Sequence, residues 1–101
     1  MKLFYRYDAG HGWLQVPLGL MGYSSDVSDF SYHDSTFAYL EEDCDMQSFL
    51  KCLNDHGIYP DIRDIDDGDN SDIRMCSRIT KRWYAKLMDG IAEDSQSQYD
   101  T

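Results

Sequence analysis

Thr36-Phe-Ala-Tyr-Leu-Glu-Glu-Asp-Cys-Asp-Met-Gln-Ser-Phe-Leu-Lys-Cys-Leu-Asn-Asp-His-Gly57 carries the change of period that decides the fold class. Its first five residues are a short aromatic run of β-forming character. From Asp43 the period changes: Met46, Phe49, Leu50 and Leu53 recur at i, i+3, i+4 and i+7, the apolar stripe of an amphipathic helix. Gly57 is placed to close that helix in the left-handed conformation, so the pattern predicts a helix over 44–56. Between strand and helix lie Glu41, Glu42, Asp43 and Asp45, where carboxylates accept from unpaired N–H groups and complement the helix dipole. Capping employs one or two of the four. The surplus is available for docking, or for cation binding and proton transfer if His11 or His33 comes near.

Working outward, Phe30-Ser-Tyr-His33 precedes this stretch, and Asp34-Ser35 separates the two aromatic runs with the spacing of a two-residue hairpin loop. Residues 2–7 alternate Leu3, Tyr5 and Tyr7 against Lys2, Phe4 and Arg6, as in a half-exposed strand. Asp8-Ala9-Gly10 supplies a turn, and residues 11–16 pair back until Pro17, which has no N–H, ends a hairpin over 2–16. Pro17 to Met21 reads as one helical turn. Downstream, Ile58 to Arg63 reads as a short strand that Pro60 confines to an edge or to its first residue. Asp64 to Asp72 reads as an acidic loop. A second helix is expected from Ser71 or Asp72, with Cys76, Ile79, Trp83, Leu87 and Ile91 along one face. Residues 92–101 read as a frayed tail behind a single domain over 1–91. The order predicts an α+β fold: a small antiparallel-rich sheet of two hairpins plus a candidate edge strand, packed with two α-helices.

The 101 residues suit one core. Hydrophobic residues at 42% and aromatics at 14% exclude a disordered chain. Nineteen acidic residues against nine basic leave a net charge of −10, which repels phosphate backbones and anionic headgroups, so neither direct nucleic-acid binding nor a membrane partner is expected. Cys44, Cys52 and Cys76 are odd in number and lack CxxC spacing, which argues against a disulfide framework and a four-ligand zinc site. Met-Lys-Leu-Phe-Tyr-Arg-Tyr lacks the uninterrupted apolar stretch of a signal peptide, and no long apolar run follows, so a cytoplasmic location is expected.

Charge is segregated along the chain. Residues 74–86 hold Arg74, Arg78, Lys81, Arg82 and Lys86 and no acid, a +5 segment, while nineteen acids against four bases elsewhere leave −15. On a continuous helix Arg74, Arg78, Arg82 and Lys86 form one basic stripe. Asp61, Asp64, Asp66, Asp67, Asp69 and Asp72 form a second acidic cluster. It is no calcium loop: with Gly68 at the sixth position, Arg63 and Ile65 take the first and third ligand places. His-Gly-Trp at 11–13 is too short to be a catalytic signature, and the sequence carries no nucleophile elbow, phosphate loop, dinucleotide fingerprint or HExxH, hence no cofactor and no metal is expected. Carboxylates around Cys44 oppose the thiolate that a helix N-terminus favours.

Three segments, His11-Gly-Trp-Leu-Gln-Val-Pro17, Phe30-Ser-Tyr-His33 and Tyr39-Leu-Glu-Glu-Asp-Cys-Asp45, resemble a widespread set of small uncharacterised proteins carried by bacteria and their phages. The resemblance covers about half the chain and brings no assigned activity. It implies a mobile-element setting, in which small acidic proteins bind and block a host protein. The expectation is a non-enzymatic binder whose acidic surface, Glu41, Glu42 and Asp45 with Asp61, Asp64, Asp66, Asp67, Asp69 and Asp72, docks on a basic host protein such as a defence nuclease, as a nucleic-acid mimic. Two alternatives belong to other classes: a metal-dependent or acid–base enzyme using Glu41, Glu42, Asp43 and His11, and a homo-oligomer joined through the basic stripe.

Overall fold

Asp8 shows how the chain turns its first corner. Its carboxylate accepts the N–H groups of Gly10 and His11, both at 3.0 Å, and folds Lys2–Tyr7 (β1) onto Gly12–Pro17 (β2) as the expected hairpin. A computed structural model describes the backbone of residues 1–99 and the side chains of residues 1–92. A 3₁₀ turn over Leu18–Tyr23 follows β2, and a second hairpin joins Tyr32–His33 (β3) to Phe37–Glu41 (β4). Its connection spans residues 34–36 because the Asp34 carboxylate takes both Thr36 and Phe37 N–H at 2.8 Å. A π-helical turn, Glu42–Met46, leads into helix α1, Gln47–Asp55. Strand β5 (Asp61–Asp66), a 3₁₀ turn over Asp72–Met75, strand β6 (Ser77–Arg78) and helix α2 (Lys81–Tyr99) complete the order.

The six strands form one sheet in the order β5-β1-β2-β4-β3-β6, antiparallel except for the β1–β5 pair. The fold is therefore the expected small α+β domain with two packed helices. The register pairs Tyr5 with Leu14 and Leu14 with Leu40, so one face of the sheet carries Leu3, Leu14, Val16, Ala38 and Leu40. These meet Met21, Phe49, Leu53 and Ile79, with Trp83, Leu87 and Ile91 of α2 packed alongside. Gly12 lies on this face beneath Tyr5, and a Cβ there would collide with the Tyr5 hydroxyl and ring, so no larger residue fits without moving that ring. The opposite face carries Trp13 and Tyr39, covered by Ile73. Burial on both faces explains why Trp13 and Leu14, adjacent in sequence, are both inaccessible.

Three expectations need correction. The second helix begins at Lys81, capped by Thr80 whose hydroxyl accepts from Trp83 N at 3.0 Å, and not at Ser71 or Asp72. Cys76 and Ile79, which one helix would place on a single stripe, pack on opposite faces of the sheet, so the chain between them must cross its edge as β6. The strand placed at 58–63 runs over Asp61–Asp66 at the edge of the sheet, with Pro60 just before its first residue, because the ladder to β1 outweighs the weak strand preference of aspartate and absorbs the start of the acidic loop. The first turn of the 44–56 helix is π-helical. The tail expected over 92–101 lies almost wholly outside the residues whose side chains are described.

Candidate functional site

Glu41 ends β4, and its buried side chain turns back so that Oε2 accepts from Asp43 N and Cys44 N, both at 3.0 Å. This cap holds the start of the π-helical turn, a distortion that recurs at functional sites. Glu41 pairs in register with Trp13 of β2, which places both on the face away from the helices. Glu41 Oε1 lies 3.9 Å from His11 Nδ1, on the turn that precedes β2. Together these residues wall a cleft of about 260 Å³, whose floor is completed by Asp43 and Cys44.

The rest of the wall comes from two other parts of the chain. Phe30 and Tyr32 approach from the β3 side, Phe30 with 57% of its surface exposed. Arg74 of the 3₁₀ turn and Arg78 of β6 close the cleft, the first 5.4 Å above the Trp13 ring and the second 5.0 Å above the Tyr32 ring. Arg78 Nη1 donates to the Asp29 carbonyl at 3.0 Å. Arg74 is held by Asp8, to which it donates through Nε at 2.6 Å and Nη2 at 2.9 Å. That ion pair, with backbone N–H groups of Ser71, Gly10 and His11, outweighs burial and holds the Asp8 carboxyl far below the usual carboxylate range. Desolvation and the carboxylates of Glu41, Asp45 and Asp43 push the Cys44 thiol up, which leaves it a poor nucleophile.

The first acidic group does not act as a unit. Glu42 faces the helix side, where the Tyr5 hydroxyl donates to it. Asp45 is buried and accepts from Ser28 N at 3.0 Å, Ser28 Oγ at 2.7 Å and the Ser31 hydroxyl, so it pins the 28–31 loop and offers no surface charge. Glu41 is likewise buried. Of the proposed enzyme constellation, Glu41, Asp43 and His11 share the cleft while Glu42 is turned away, and no group of three His, Cys, Asp or Glu side chains among the described residues is arranged to hold a metal ion. The four-residue basic stripe is also divided. Arg74 belongs to the 3₁₀ turn and Arg78 to β6, leaving Arg82 and Lys86 exposed together on α2.

Of the second acidic group, Asp61, Asp64 and Asp66 lie on the edge strand β5, and Asp67, Asp69 and Asp72 follow it. Asp61 pairs with Arg63 at 3.0 Å, Asp72 and Asp67 pair with Arg6 at 2.5 and 3.0 Å, and Asp67 also accepts from Ser71 Oγ at 2.6 Å. Asp64, Asp66 and Asp69 are exposed and have no ion-pair partner among the described residues. Asp61 N donates to Met1 O at 2.8 Å and Asp67 N to Tyr7 O at 2.7 Å, so odd-numbered residues of β5 direct their backbone inward to β1. Ile62, Asp64 and Asp66 therefore direct N–H and C=O outward, along an open edge.

Sequence reading singled out the acids and missed Trp13, Tyr32 and Phe30 as members of a site. The signal available was indirect: His11 and Trp13, Phe30 and Tyr32, and Glu41, Asp43 and Cys44 come from the three segments that carry the resemblance, and they meet at one cleft. No helix among the described residues is long and apolar enough to cross a membrane. No protein-family model, curated protein or solved structure matches the chain.

Proposed function

We propose that this chain is a non-enzymatic binding protein of phage or mobile-element origin, acting in the cytoplasm. Its acidic β5 edge docks on the basic surface of a host protein and inhibits it, the target being a defence nuclease or another DNA-handling enzyme. The observation that carries this reading is the concentration of carboxylates without an ion-pair partner among the described residues, Asp64 and Asp66 on a strand edge whose outward N–H and C=O groups are open and Asp69 in the loop that follows it. Asp64 and Asp66 lie two residues apart on one side of an extended strand, about 6.6 Å from each other. That is of the order of the spacing between successive phosphates, the geometry a nucleic-acid mimic needs. Charge of this kind steers encounter with a basic groove and excludes acidic partners.

The test is capture of host proteins on immobilised wild type and on the Asp64→Asn, Asp66→Asn, Asp69→Asn triple variant, at low and high salt. The wild type is expected to retain a basic protein in a salt-sensitive manner, to inhibit it once purified, and to lose about tenfold in affinity on neutralisation. Unchanged retention with unchanged salt sensitivity would remove the reading. Salt-sensitive self-association in sedimentation, with no retained host protein, would replace it by the homo-oligomer.

A further inference from the structure

The cleft beside the π-helical turn has no part in edge docking, and three of its features point to a ligand of its own. Trp13 is 1% exposed, yet its indole N–H is, among the described residues, the one buried side-chain polar atom without a hydrogen-bond partner. A buried donor left unpaired destabilises the fold, and pairing it with an acceptor recovers that cost. Glu41 accepts both backbone N–H groups through Oε2, while Oε1 stays 3.9 Å from His11, beyond hydrogen-bond length. Phe30 holds an exposed ring at the same cleft, where a flat apolar surface gains by being covered.

The charges of the wall select the class of ligand. Arg74 is answered by Asp8, which leaves Arg78 set against Glu41 and Asp43. A small anion would meet two carboxylates, and a small cation would meet the guanidiniums. A neutral planar molecule with acceptors on one edge and N–H donors on another meets neither penalty, and it matches the mixture of indole, guanidinium and carboxylate. A cleft of about 260 Å³ has room for roughly nine waters at their liquid volume, which is enough to admit one heterocyclic base.

We propose that this cleft binds a single nucleobase, free or as its nucleoside. A ring carbonyl or ring nitrogen accepts from the Trp13 indole or the Arg78 guanidinium, and an amino group or ring N–H donates to Glu41. The base lies along Phe30. A net charge of −10 repels polynucleotides, so the ligand is the uncharged monomer and not a base within a strand.

The test is titration of the ¹⁵N-labelled full chain with adenosine, guanosine, cytidine and uridine up to millimolar concentration. The Trp13 indole N–H resonance is identified as the one that persists in Trp83→Phe. At least one nucleoside is expected to shift it saturably, and Glu41→Gln and the surface variant Phe30→Ala are each expected to weaken that affinity about tenfold, as the loss of one hydrogen bond or one stacking face implies. No shift with any of the four, or unchanged affinity in both variants, would overturn the proposal. Binding is expected to survive the Asp64→Asn, Asp66→Asn, Asp69→Asn substitutions, so its failure and that of edge docking are separable.

Discussion

Asp8 accepts five hydrogen bonds, from Gly10 N, His11 N, Ser71 N and two nitrogens of Arg74, with no part of its side chain exposed. It ties the β1–β2 turn to the segment that covers the second core. Its folded pKa lies below the ordinary 3.8, so the unfolded chain binds the proton more readily. The stabilisation it gives is complete above the ordinary value and is lost as pH falls toward the folded one. Asp8→Asn is expected to cost at least about 2 kcal/mol at neutral pH. In urea unfolding at pH 7 and pH 3, the gap between wild type and variant should narrow at the lower pH, and an equal gap at both would show that its charge is not the source. In the sequence Asp8 reads as a turn residue and Arg74 as part of a basic stripe. Nothing local joins two side chains 66 positions apart. Asp45 repeats the lesson: its place in an acidic run suggests exposure, and its burial comes from Ser28 and Ser31 reaching it across the fold.

Helix α1 is legible because its stop is written in local chemistry. Gly57 stands at φ +76°, Ile58 N donates to Leu53 O and Gly57 N to Asn54 O, each at 2.9 Å, the paired bonds of a left-handed helix stop. Gly57→Ala, with open space around the new Cβ, is expected to cost about 1 kcal/mol through the backbone alone. For a domain of this size that lowers Tm by roughly 4–8 °C, measured by thermal unfolding, and an unchanged Tm would show that the stop is dispensable. The segment before α2 was misread for the opposite reason. Its apolar residues keep a spacing near that of a helix, yet Ile73 serves one face of the sheet and Ile79 the other. Periodicity reports that residues are buried and is silent on which side of a sheet buries them.

Among the described residues Lys and Arg pair with five carboxylates, Asp8, Asp55, Asp61, Asp67 and Asp72, so most of the nineteen acids of the −10 chain stay uncompensated. Such a charge repels itself at long range. Raising ionic strength from about 0.01 M to 0.15 M shortens the screening length from about 30 Å to about 8 Å, and Tm is expected to rise over that interval by a few degrees. A flat or falling Tm would mean that the local pairs dominate. The α+β class, the first hairpin and the α1 stop are all determined by the sequence itself, because turn chemistry and apolar period act between residues a few positions apart. Which carboxylates are spent inside and which stay free on the β5 edge, and that His11, Trp13, Phe30 and Glu41 wall one cleft, only the tertiary structure decides. Register and the choice of sheet face set those distances, and both arise from contacts between segments that the chain order keeps far apart.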